Sequence, residues 1–82
     1  MVETRFAPRL RINKRAIAEY GGDKYPCVVR DISTTGAAIE FPDLVTVLPF
    51  KKLFNLIIRE DGLNLTCRIV WHSAFQMGVA FE

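Results

Sequence analysis

Apolar residues recur at every second position through most of this 82-residue chain, the period of a half-buried β-strand. From Lys14 the pattern sets Ala16, Ala18 and Tyr20 on one face against Arg15, Ile17 and Glu19 on the other. Gly21-Gly22-Asp23 then reads as a hairpin turn. A second strand is predicted from Pro26 to Ile32, where the consecutive Cys27, Val28 and Val29 leave the inward face undecided. A third runs from Ala37 to Phe41, with Ala37, Ile39 and Phe41 in phase, and Pro42 ends it. Residues 43–52 hold five apolar side chains and Pro49 without a strand period, which predicts a long connection with one short helical turn.

The second half of the chain is more regular. Phe54, Leu56 and Ile58 alternate with Asn55, Ile57 and Arg59, and Asp61-Gly62 marks a hairpin. Leu63, Leu65, Cys67, Ile69 and Trp71 then share one phase, and Met77, Val79 and Phe81 alternate in a last strand. Six short strands, turn signals at close intervals and little helix predict an all-β fold, a small six-stranded antiparallel β-barrel. Closure of such a sheet removes its exposed edges. Residues 1–13, with Pro8 and no period, read as a flexible N-terminal arm, and residues 14–82 as a single barrel domain.

Half of the residues are apolar, enough for a compact core and too many for a disordered chain. No apolar run approaches the roughly 20 residues of a membrane-spanning helix, and no signal-peptide pattern opens the chain, so a cytoplasmic protein is expected. Cys27 and Cys67 lie in strand-like segments as expected free thiols. With no Cys-x-x-Cys and the lone His72, no zinc site is expected. The same inventory holds no credible pair of nucleophile and base, so an enzyme is not expected.

The net charge of +2 is uneven: residues 1–15 carry five bases and one acid, the remaining 67 carry six bases and eight acids. A basic arm on a near-neutral body points to an anionic partner. Arg5 and Arg9 offer planar forks of donors suited to phosphate oxygens and to the O6/N7 edge of guanine. Asp31-Ile32-Ser33-Thr34-Thr35-Gly36 lies between two apolar runs, with Asp31 and Ser33 in phase. Asp31 is an acceptor for the donors of guanine's Watson–Crick edge, while Gly36 suits a tight turn or a close backbone approach. The alternatives stay open: a solvated basic tail, and an Asx- or Ser/Thr-stabilised turn that caps its own backbone.

Arg5-x-x-x-Arg9 followed after one strand by Asp31-x-Ser33-x-x-Gly36 resembles the signature of the PilZ domain family, bacterial six-stranded barrels that bind cyclic di-GMP. Arg68-Ile69-Val70-Trp71 and Gly78-Val79-Ala80-Phe81 are similar to the family's last two strands, so the resemblance covers nearly the whole chain. It implies that Arg5 and Arg9 grip phosphates and guanine edges, that Asp31 and Ser33 meet a guanine, and that Gly36 keeps the turn tight. Trp71 is either a stacking or rim residue or part of the barrel core, since it shares the phase of Leu65 and Ile69. Thr4 stands where many members carry a further arginine, which leaves ligand number open, and the chain ends at Glu82 without the C-terminal helix of many members. The expected function is a cyclic di-GMP receptor that signals through a protein partner. The rivals are a PilZ-like domain acting by protein contact alone and a small barrel for single-stranded nucleic acid. The latter needs a basic groove with stacking aromatics, whereas Phe41, Phe54 and Phe81 fall in core phase here.

Overall fold

The computed structural model describes residues 10–82. Six antiparallel strands, β1 (Leu10–Tyr20), β2 (Asp23–Ile32), β3 (Gly36–Glu40), β4 (Leu53–Ile58), β5 (Leu63–His72) and β6 (Gln76–Phe81), close into a barrel in the order β1-β2-β3-β6-β5-β4. The expected barrel is therefore the observed one. Gly21 and Gly22 take φ of 60° and 86°, so two residues that pay no Cβ penalty turn β1 into β2. The first strand starts at Leu10, four residues ahead of the predicted Lys14, so residues 10–13 of the expected arm belong to the sheet. An irregular ladder hides this start from a period-two reading. Between Arg11 and Lys14 the register slips by one, with Asn13 at φ 46°. The remainder of the expected arm, with Arg5 and Arg9, lies outside the described residues.

The core forms where the predicted phases meet: Ala16 and Ala18, Ala37 and Ile39, Phe54, Leu56 and Ile58, Cys67, Met77 and Val79 are all buried, and in β2, whose inward face the pattern left undecided, Cys27 and Val29 are the buried pair. The connection from Pro42 to Lys52 carries its expected helical turn, a single 3-10 turn at Val45–Val47. Val45 is buried and its amide donates to the Ala74 carbonyl (2.7 Å), so this segment closes one end of the barrel. Phe50 stacks on Phe54 (centroids 4.7 Å) and meets Tyr25 edge-on (5.1 Å), adding an aromatic plug that periodicity did not signal.

At the opposite end Gly36 admits β6. A Cβ there would collide with the Val79 carbonyl oxygen, so only glycine lets the two backbones approach this closely.

Candidate functional site

Two β-bulges determine what the outer face of the barrel displays. In β2, Val29 pairs with Ile39 and Asp31 with Ala38, leaving Arg30 as an extra residue. Regular alternation would send Asp31 inward with Val29, and the bulge turns it outward instead. In β5, Ile69 pairs with Val79 and Trp71 with Gly78, leaving Val70 as the extra residue. Trp71 therefore leaves the inward phase of Ile69, and its side chain is 47% exposed. The core alternative for Trp71 is thus corrected: the phase it shares with Ile69 in the sequence is broken by the intervening bulge.

Directly paired residues in an antiparallel ladder share a face. The pairs Arg11↔Asp31, Asp31↔Ala38, Ala38↔Gly78 and Gly78↔Trp71 thus string one row across five strands of the outer surface. Asp31 and Trp71 stand three strand spacings apart, ~14 Å between backbones. The indole leans back over Gly78, since a Cβ on that glycine would collide with Nε1 and Cε2 of Trp71. Among the described residues this row holds only the small Ala38 and Gly78 between Asp31 and Trp71, and the indole covers Gly78, so Ala38 is the open floor beside the ring. Such a floor admits a planar ring system against an aromatic wall, with an acceptor at the far side.

Ser33 and Gly36 do not lie in this row. The Ser33 hydroxyl oxygen accepts from the backbone amides of Thr35 and Gly36 (both 3.2 Å), and the Ser33 amide donates to the Gly36 carbonyl (2.8 Å). Ser33 is the clasp of its own turn, the self-capping arrangement that its residue type allowed. That clasp sets the path of the chain out of Asp31-Ile32 and into β3. Gly36 meets the backbone of β6, as described above.

Arg11, not singled out from the sequence, stands opposite Asp31 on the exposed face and makes no ion pair with any described residue. Its only sequence signal is its place in the basic N-terminal run, because the irregular ladder concealed that it sits in a strand. Leu10, the first described residue, stands opposite Ile32, so the chain enters the barrel beside the turn.

A family model described as the PilZ domain matches residues 3–82, nearly the whole chain. The chain belongs to the PilZ domain family. No curated protein matches it. Membership accords with the closed six-stranded barrel, and it is a family known for binding cyclic di-GMP as binding or adaptor domains rather than enzymes. In this PilZ domain Phe41 and Phe54 are buried, which removes them from any stacking surface, whereas Trp71 is exposed on the row that carries Asp31.

Proposed function

We propose that this domain is a cyclic di-GMP receptor, holding the dinucleotide between the Arg5-x-x-x-Arg9 segment and the outer face that carries Asp31 and Trp71, and relaying its presence to a protein partner. The observation that carries this reading is the row on which Asp31 and Trp71, turned outward by separate bulges, flank the small residues Ala38 and Gly78. Family membership supplies the ligand class, and chemistry supplies the roles. Asp31 accepts from guanine N1–H and N2–H, Trp71 offers a π-face to the base, and the guanidiniums of Arg5, Arg9 and Arg11 take phosphate oxygens or guanine acceptors. Ser33 acts by holding the turn, and Gly36 by keeping β3 against β6. Arg9 precedes Leu10 directly, and consecutive Cα atoms are ~3.8 Å apart. The Leu10↔Ile32 pairing sets the start of β1 beside the turn, the end of the strand from which the Arg5-x-x-x-Arg9 segment would reach the ligand.

Calorimetric titration with cyclic di-GMP tests the reading. Arg9→Ala should weaken binding about tenfold to a hundredfold, the ~1–3 kcal/mol of a charge-assisted contact to phosphate or guanine, without moving the melting temperature of the free protein. Arg9→Lys should recover part of the loss, since it keeps the charge without the planar fork. Added salt should weaken the parent complex by screening the phosphate contacts. Competition by GTP or single-stranded DNA equal to that of cyclic di-GMP, or an Arg9→Ala variant that binds like the parent, overturns it.

A further inference from the structure

A second surface on the same side of the barrel is left unused by this reading. β1 pairs with β2 over nine positions but with β4 over only three, Ile17–Glu19 against Asn55–Ile57. Beyond Ile17 the two strands part, and the Lys14 ammonium spans the gap to both carboxylate oxygens of Asp61 at 2.8 Å. The outer face here forms an open groove of about 1000 Å³. Its floor follows from register: Ile57, Ile17 and Pro26 make one cross-strand row, and Arg15, Val28 and Glu40 the next. The first row spans two strand spacings, about 10 Å, which is the width of an α-helix.

The charges of the groove are unequally satisfied. Lys14 is held by Asp61, and Arg30 pairs with Glu40 at 3.4 Å. Arg15 and Arg59, both lining the groove, make no ion pair with any described residue, and Glu60 is the one remaining carboxylate there. An apolar trough of helical width with two uncommitted guanidiniums complements an amphipathic helix that carries carboxylates beside its apolar stripe. Arg30, the extra residue of the β2 bulge, lines this groove, while its neighbour Asp31 lies on the candidate nucleotide row. The two surfaces therefore share one backbone irregularity.

We infer that this groove is the output surface, and that it takes an acidic amphipathic helix of the partner protein. The inference rests on the reading that the domain signals by protein contact, and it needs no nucleotide for its test. The probe is a synthetic amphipathic peptide of about 18 residues, long enough to hold a helix, with a leucine stripe flanked by glutamates. Its twin carries lysines in their place. Amide shifts on titration should fall on Ile17, Val28 and Ile57, with the lysine twin weaker by about tenfold or more through like-charge contact with Arg15 and Arg59. The exposed pair of changes Arg15→Glu and Arg59→Glu should invert that preference with the amide spectrum otherwise retained. Equal affinity of the twins, no binding of the acidic helix, or shifts confined to the exposed Leu44 and Phe75 at the plugged end would each overturn it. Cyclic di-GMP is titrated separately into the same protein, so failure of the groove and failure of the nucleotide site read out independently.

Discussion

β4 and β5 lie side by side in the barrel and carry equally plain alternation in the sequence, yet they obey it differently. In β4 the ladder to β5 is unbroken over six paired positions, and Phe54, Leu56 and Ile58 are all buried as their phase demands. In β5 the phase holds through Cys67 and Ile69 and fails at Trp71, because Val70 is inserted in the ladder to β6. The regular strand buries all three of its core-phased side chains, Phe54, Leu56 and Ile58. The bulged strand sends its largest core-phased side chain, Trp71, to the surface. A bulge thus converts a core-phased residue into a surface-facing one without changing the residue's place in the sequence pattern. The same device acts in β2, where Arg30 turns Asp31 outward.

The comparison is broken most severely by emptying the regular strand. Leu56 is fully buried, so Leu56→Ala should cost roughly 2–5 kcal/mol through lost burial and a cavity. A domain of this size has on the order of 5 kcal/mol to lose, so thermal melts should show it largely unfolded. A melt like the parent's would show that β4 does not carry the core.

Trp71→Ala, from the bulged strand, should behave in the opposite way. Its stability cost should stay near 1 kcal/mol or below, as for other exposed positions. Cyclic di-GMP affinity should fall by about 1–3 kcal/mol, the worth of one base stacked on an aromatic ring. Unchanged affinity would remove Trp71 from the site.

Gly78→Ala sharpens the point further. The three atoms nearest an added methyl all belong to the indole of Trp71, a partly exposed side chain that can swing away, so the melting temperature should move little. Tryptophan emission should shift to the red as the ring leaves its seat, and nucleotide affinity should drop with it. An unaltered emission spectrum would mean that the indole does not rest on Gly78.

The smallest effect concerns the regular stretches of β2 and β5 ahead of their bulges. Burial pushes the thiols of Cys27 and Cys67 up to about 12, from an ordinary 9. Raised folded-state values favour folding fully below pH 9, and that contribution is lost as pH rises from 9 toward 12. Replacing both by Ala should flatten the alkaline fall of the melting temperature relative to its own value at pH 7. At pH 8 a thiol reagent should label the parent only after denaturant is added, and rapid labelling of the native protein would contradict the burial.

The amino-acid sequence by itself determined the fold class and most of the core. Period-two alternation in Ala16–Tyr20, Ala37–Phe41 and Phe54–Ile58 records which face is buried, because hydrophobic burial acts on each residue wherever the ladder is regular. Gly21-Gly22 and Asp61-Gly62 likewise announced their turns, since left-handed backbone selects glycine: Gly62 adopts φ 65°. The residues Asp31, Ser33 and Gly36 were legible as a motif, but their division of labour was not. Only the tertiary structure decided that Ser33 clasps its own turn and that Gly36 makes way for β6. It alone also decided that Asp31 and Trp71, forty residues apart, share one outer row. The reason is that a one-residue slip in a ladder reverses every facing beyond it. Whether a strand slips depends on its neighbour's length and curvature in the closed barrel, which no local pattern records.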